Sequence, residues 1–347
     1  MPTIQDVAKR AGVAPITVSR VLNHTGYIRE ETRQKVEAAI AELGYVPNSL
    51  ARGLRIKQTK TIGLVLTDIT NPFFTILARG VEDVASQAGF NVFLCNTDES
   101  ESKQMGYLTA LLQKRVDGIL MVPAGSTTVP VDLIRDHGAE VVVIDRRLPT
   151  SQVDVIRCES IDSSYRLVSH LLELGHVRIT ILTGPRGVST AEDRLSGYKA
   201  ALVDAGVEID DALIHYGRFT QESGYEMAQK AMRYLPMPTA MFTANNFIAI
   251  GAVKAVQEAG LQIPEDISIV TFDDLPNSLV INPFFTAIRQ PSYEMGHSAA
   301  ELLLARLSGG EMGPYREIIL PTEFLVRASS AAPPTSKSQF TRKRATR

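Results

Sequence analysis

From Thr61 to Phe272 apolar, strand-like runs and amphipathic helical stretches take turns over more than two hundred residues, and few folds accommodate such a rhythm. Thr61–Leu66 is a β-rich run, Asp68-Ile69-Thr70-Asn71-Pro72 is a loop, and a helix is expected from about Phe73 to Gln87. Strand Asn91–Cys95, helix Ser102–Lys114, strand Gly118–Val122, helix Pro130–His137 and strand Glu140–Ile144 follow. After a strand at Asp154–Cys158 the rhythm restarts, with helix Ile161–Leu174, strand Arg178–Leu182, helix Ala191–Ala205 and strand Leu213–Tyr216. Helix Gln221–Leu235, strand Ala240–Thr243, helix Phe247–Ala259 and strand Ile267–Phe272 complete the second series. Such alternation predicts parallel, doubly wound sheets, and strands this apolar are expected to be buried on both faces. Two units in series predict a bilobed α/β sensor that takes a small ligand between its lobes, at the carboxyl ends of the strands.

The first 57 residues differ in kind. Thr3 caps a helix over Ile4–Ala11, with Asp6 completing a capping box. Gly12-Val13 makes a turn, and a second helix runs from Pro15 to about Asn23 with Pro15, Ile16, Ser19 and Arg20 on its outer face. A third spans Glu30–Leu43, burying Val36, Ala39, Ile40 and Leu43, until Gly44 stops it. Two short helices joined at a Gly-containing turn predict a helix-turn-helix, whose second helix enters a major groove; a plain three-helix domain is the alternative. Charge favours DNA. Residues 1–57 hold nine Lys/Arg against five Asp/Glu, residues 337–347 hold five basic residues and no acid, and the stretch between is acidic enough to bring the chain to −2. In the linking segment, Pro47 can start a helix and Asn48 or Ser49 can cap it, while Gly53 weakens it by ~1 kcal/mol. It reads as a conditional hinge helix.

Thr3-Ile4-Gln5-Asp6-Val7-Ala8-Lys9-Arg10-Ala11-Gly12-Val13, Thr17-Val18-Ser19-Arg20-Val21-Leu22-Asn23, Tyr45-Val46-Pro47-Asn48, Ala51-Arg52 and Leu54 together resemble the lactose/galactose repressor family, and the similarity extends to about Arg327. The resemblance implies a homodimer on pseudo-palindromic, double-stranded operator DNA. Thr3, Pro15, Ile16, Thr17, Ser19, Arg20 and Asn23 would meet DNA from the head, and Asn48, Ala51, Leu54 and Arg55 from the hinge, with Leu54 wedged into a minor-groove base step. Arg20 is read as a guanine contact, the alternative being a phosphate contact; Pro15 and Ile16 offer only apolar surface.

The rule for open sheets points to loops just after the strands: Asp68–Phe74, Asp98, Pro123–Ser126, Asp145-Arg146, Thr183–Arg194, Phe219, Asn245-Asn246, Asp273-Asp274 and Gln290. The resemblance narrows these to Phe73, Phe74, Asp145, Thr190, Arg194, Phe219, Asn245, Asp273 and Gln290, a set of carboxylates, amides, one guanidinium and rings that suits a sugar or sugar derivative. Each has a structural alternative: lobe core for Phe73 and Phe74, a turn cap for Asp145, a local ion pair with Glu192 or Asp193 for Arg194, and turn formation for Asp273-Asp274. Asn246 stands where the family commonly has Asp.

The implied organisation is a helix-turn-helix domain at 1–46, a hinge helix at 47–57 and an effector-binding and dimerisation domain at 60–330, periplasmic-binding-protein-like in fold. Lobe 1 takes about 60–157 and 289–320, lobe 2 about 158–288 and 321–330, and 331–347 is a disordered basic tail. That tail has no leucine, so a zipper helix is not expected and a dimer is. Enzyme chemistry is not expected: Gly184-Pro185-Arg186-Gly187 lacks the Lys-Ser/Thr of a phosphate loop, no GxSxG turn is present, and the six histidines are scattered, reading as surface or helix-end residues. Cys95 and Cys158 form no CxxC pair, so neither metal nor cofactor is expected. The N-terminus shows no basic-then-apolar leader and no apolar run approaches a membrane span, which predicts a cytoplasmic protein. The expected function is an allosteric transcriptional repressor controlled by a carbohydrate-like effector. The alternatives are a co-repressed regulator of purine type and a solute-binding protein.

Overall fold

In the computed structural model, which describes residues 2–23, 25–46, 58–149, 152–276, 284–309 and 313–334, the chain divides between Thr59 and Lys60 into two units. The expected hinge helix, with Asn48, Ala51, Leu54 and Arg55, lies outside the described residues, as does the basic stretch 337–347.

In the first unit the Thr3 hydroxyl accepts the Asp6 N–H at 3.3 Å and the Asp6 carboxylate accepts the Thr3 N–H at 2.8 Å, so the capping box starts α1 (Ile4–Ala11). Gly12, at φ 67°, ends it. Pro15 starts α2 (Pro15–Leu22), and α3 (Glu30–Leu43) carries Glu30 and Glu31 at its positive end before Gly44 stops it at φ 58°. Val7, Ala8, Val18, Val21, Val36 and Ala39 make the core between the three helices.

The second unit holds two six-stranded sheets. The first takes β1 (Thr61–Leu66), β2 (Asn91–Asn96), β3 (Gly118–Met121), β4 (Glu140–Ile144) and β5 (Asp154–Cys158), joined through α4 (Pro72–Gln87), α5 (Glu101–Gln113) and α6 (Val129–Asp136). The second takes β6 (Ile179–Thr183), β7 (Ile214–Tyr216), β8 (Ala240–Thr243), β9 (Ser268–Phe272) and β10 (Thr286–Arg289), with helices α7 (Ser160–Glu173), α8 (Ser189–Asp204), α9 (Gln221–Ala231) and α10 (Asn246–Glu258). The chain then returns to the first lobe for α11 (Ser292–Leu307) and β11 (Glu317–Leu320), and to the second for β12 (Glu323–Leu325). Strand orders are β11-β5-β4-β3-β1-β2 and β12-β10-β9-β8-β6-β7, parallel throughout except for β10 with β12. In each sheet the order reverses beside the first strand, β1 or β6. The carboxyl ends of those strands therefore open onto the crevice where such folds hold ligands.

Helices close over the sheets with backbone near backbone. A Cβ on Gly296 of α11 would fall 2.0 Å from the Leu77 carbonyl oxygen of α4, and one on Gly251 of α10 would fall 2.0 Å from the Gln221 carbonyl oxygen of α9. Glycine is therefore dictated by packing, despite its cost inside a helix. Asp154, at the start of β5, is fully buried. Its carboxylate accepts from Arg306 Nε at 2.7 Å, from an Arg306 terminal nitrogen at 3.0 Å and from the Arg316 N–H at 2.7 Å, tying α11 and β11 to the sheet.

Four expectations are corrected. The strand β2 is not buried on both faces: it is an edge, and Phe93 and Leu94 are about half exposed. Helix α9 stops at Ala231 rather than Leu235, because Pro236 disfavours helix at the residue before it and Leu235, 92% exposed, gains nothing from continuing. The expected disordered tail does not begin at Ala331, which is anchored together with Ser329. Ser329 is fully buried, its carbonyl accepts the Ile269 N–H at 2.8 Å, and the Ala331 N–H donates to Ser268 Oγ at 3.0 Å. Finally, His176 is a helix-end residue, just past α7 with its N–H bonded to the Leu171 carbonyl, but it is not at the surface. It is buried against Thr239 Oγ1 at 2.9 Å and the Ala331 carbonyl at 2.8 Å, and burial holds its pKa below the usual value.

Candidate functional site

A cavity of about 770 Å³ lies between the two sheets' carboxyl ends, and all nine residues expected around a ligand line it. Phe73 and Phe74 open α4 behind Pro72, which sets the first turn, and behind Asn71, whose Oδ1 caps it by accepting the Phe73 N–H at 3.1 Å. The two rings meet edge to face, centroids 4.9 Å apart, and both are buried in the first lobe's core while also bordering the cavity. Both rings thus belong to the lobe core and to the cavity wall.

Arg194 sits at the centre. It lies in the second turn of α8 and is almost fully buried. One terminal nitrogen donates to the Ala244 carbonyl at 2.6 Å, the guanidinium covers the Phe272 ring at 3.9 Å, and Nε has no protein partner. Its ion-pair alternative is not realised with Asp193, which pairs with Arg147. Asp145 and Asp273 follow β4 and β9 at φ 66° and 68°, a left-handed geometry that aspartate tolerates better than most residues. Burial pushes the Asp145 carboxyl up to about 6, against the pull of Arg194 and Arg146. Burial also raises Asp273, opposed by Arg194 and by the Gln290 amide, which donates to its Oδ1. Asp274 does otherwise: burial pushes it up, but Arg327 and Arg289 hold it below the usual carboxylate range. It is a structural ion pair beside the cavity. Thr190 is buried in the first turn of α8, Phe219 lines the second lobe's wall, and Asn245 caps α10 by accepting the Ile248 N–H at 2.8 Å.

Two residues at the cavity, Glu99 and Arg218, were not among the loops expected there. Glu99 forms a two-pronged pair with Arg146, both bonds 2.6 Å, and Arg146 also donates to the Pro123 carbonyl. Burial lowers the Arg146 pKa, but Glu99 more than reverses that and raises it. Arg218 and Arg186 also border the cavity, Arg186 with its guanidinium 3.7 Å over the Tyr216 ring. Position just after a strand would have found Glu99; its pairing would not have shown. The cleft thus presents buried carboxylates, amides and a guanidinium around a central space, with aromatic rings at its edges. That chemistry holds an array of hydroxyl groups well.

On the first unit, Pro15, Ile16 and Arg20 are exposed along α2, Ile16 by 51%. Thr17 and Ser19 are half-buried, Thr3 caps α1, and Asn23 ends α2 with its amide donating to the Ser19 carbonyl at 2.7 Å. Tyr27, 91% exposed after α2, is a further candidate that helical periodicity could not have flagged. Among the described residues no helix is long and apolar enough to cross a membrane, and no group of three or more His, Cys, Asp or Glu could hold a metal ion.

Residues 3–48 match the family described as "Bacterial regulatory proteins, lacI family", and residues 59–328 match "Periplasmic binding proteins and sugar binding domain of LacI family". Among characterised relatives, the HTH-type transcriptional repressor PurR of Haemophilus influenzae (strain PittEE) is 35% identical over 331 residues, covering 95% of this chain and 98% of the relative. The HTH-type transcriptional regulator DegA of Bacillus subtilis (strain 168) is 36% identical over 332 residues, covering 95% and 98%. Among solved structures, the Lac repressor dimer bound to operator and the anti-inducer ONPF superposes with TM-score 0.82 at 29% identity, covering 95% of this chain and 99% of that one. The transcriptional regulator CelR in complex with cellobiose superposes with TM-score 0.73 at 31% identity, covering 95% and 100%.

Proposed function

The chain belongs to the LacI family of bacterial regulatory proteins, which bind DNA to control transcription, and from that membership we propose that it is a homodimeric repressor whose hold on a pseudo-palindromic operator is switched by a carbohydrate-like effector in the cleft. The observation that carries the effector class is the buried Asp145–Arg194–Asp273 cluster, with an Arg194 Nε that has no protein partner. Flanking carboxylates accept from paired hydroxyls, and a guanidinium donates to the same or a neighbouring oxygen. Dimerisation is supported by the apolar edge at Phe93 and Leu94. In this reading α2 lies in the major groove, Leu54 of the 47–57 hinge wedges the minor groove, and lobe closure alters the spacing of the two hinges. The proposed domain limits are a head to 46, a hinge at 47–57 and a sensor from 60, and the division between Thr59 and Lys60 supports the last of these.

The test is a thermal-shift screen of the full chain against sugars, sugar phosphates, sugar acids and purines. A sugar among the strongest stabilisers is the expected result. A flat heterocycle is the second reading, favoured because Phe74 of one lobe and Phe219 of the other both line the cavity; a purine stabilising while every sugar fails would replace the first reading with it.

Two further results are expected. Asp145 is half-ionised near pH 6 in the folded chain. Sugar affinity, measured by titration calorimetry, should therefore be constant above pH 7 and fall by up to tenfold per pH unit below 6, as the acceptor is protonated. Because the folded carboxyl is raised above its unfolded value, its own contribution to stability grows as pH falls from about 6 towards 4, so protonation of this group does not itself promote unfolding. An unchanged profile in Asp145→Asn would exclude this carboxylate as the source. On the DNA side, Arg20→Ala should cost about 1–3 kcal/mol of operator affinity and relax selectivity at one base pair in a binding-site selection. Equal weakening on every sequence would make Arg20 a phosphate contact.

A further inference from the structure

Asn71 and Asn246 stand 175 positions apart and belong to different lobes, yet their side chains meet beside the cavity. The Asn71 amide nitrogen donates to Asn246 Oδ1 at 3.0 Å, and the Asn246 amide nitrogen donates to Asn71 Oδ1 at 3.1 Å. Both side chains are buried, Asn246 completely. The orientation is fixed from outside the pair, because Asn71 Oδ1 also accepts the Phe73 N–H at the start of α4. Asn246 has no such task in its own lobe: it is the first residue of α10, and the cap of that helix is Asn245.

A two-way amide pair needs both groups near one plane and one separation, so a lobe displacement of about 1–2 Å breaks both bonds together. Other contacts between the lobes differ. Arg147 reaches Asp193 and Ser189 from the first lobe to the second, but its side chain is 41% exposed, where water and salt compete. The amide pair is neutral and dry, so neither physiological salt nor pH between 5 and 8 alters it. We propose that Asn71 and Asn246 form a latch that holds the lobes closed without effector, and thereby set how much of the free protein occupies the closed state. The effector adds its differential affinity to an equilibrium that this pair has already biased.

Hydrogen exchange of the full chain without any effector tests the latch separately from the effector class. Asn246→Ala should speed amide exchange about threefold to tenfold on both cleft walls, residues 67–75 and 244–250, the scale set by losing one or two net hydrogen bonds. Asn71→Ser, which keeps a helix-capping oxygen but no amide, should do the same. The double variant should exchange no faster than either single one, since each alone already abolishes the pair. Asn246→Asp can accept from Asn71 but not donate back, and should fall between wild type and Asn246→Ala. Overturning results are faster exchange confined to the mutated wall, effects of the two variants that multiply, or wild-type exchange in both single variants.

Discussion

Arg194→Ala is expected to abolish the effector response, weakening sugar binding by at least a hundredfold, while operator binding by the free protein is retained. The guanidinium is almost fully buried, bonded to the Ala244 carbonyl and seated on Phe272, and it is the countercharge shared by Asp145 and Asp273. Its removal acts twice. The ligand loses a charged donor, and two buried carboxylates lose the cation that favours their ionised form, which raises both pKa values further and weakens both groups as acceptors. Truncating one partner of a buried, hydrogen-bonded charge cluster costs about 2–5 kcal/mol in binding. Arg194→Lys should recover little, because an ammonium cannot present the planar fork. Calorimetry with the strongest sugar from the thermal screen reads the loss directly, and affinity within threefold of wild type would remove Arg194 from the site.

The second large effect is on folding. Asp154→Ala should cost about 3–5 kcal/mol, since it leaves the Arg306 guanidinium without its carboxylate. What remains to Arg306 are long bonds to the Gly313 and Pro314 carbonyls, at 3.3 and 3.4 Å, and the Tyr315 ring at 4.7 Å. The Arg316 N–H loses its acceptor in the same step. Because these groups fasten α11 and β11 to the first lobe, the urea midpoint of the whole sensor should fall. Asp154→Asn keeps acceptor capacity on one oxygen and should lose roughly half as much. A loss below about 1 kcal/mol in Asp154→Ala would mean that α11 is held by its apolar packing alone.

Much of this was legible in the chain because its local signals agree. Thr3 with Asp6, Pro15 and Gly44 mark helix ends by chemistry that acts within a few residues, and α1 and α3 begin and end where those signals put them. The buried strands announced themselves by unbroken apolar runs. Strand β2 read the same way, yet Phe93 and Leu94 face outward, since an apolar run records that a surface avoids water and not which surface covers it. In the cleft, topology pointed to the loops that follow the strands, and the family resemblance singled out Arg194 and Asp273 within them. Glu99 with Arg146 and Asn71 with Asn246 are pairings across 47 and 175 positions, which no local pattern encodes. The packing of Ser329 against β9 was hidden by its composition, because small polar residues suit a loose linker and a tight strap equally well.

One measurement bears on the whole account: operator affinity of the full chain by fluorescence anisotropy at fixed salt, with and without a saturating concentration of the sugar selected by the screen. The account predicts a change of at least tenfold in operator affinity, and by linkage an equal change in sugar affinity when operator is bound. Operator affinity unchanged while the sugar fills the cleft would contradict it.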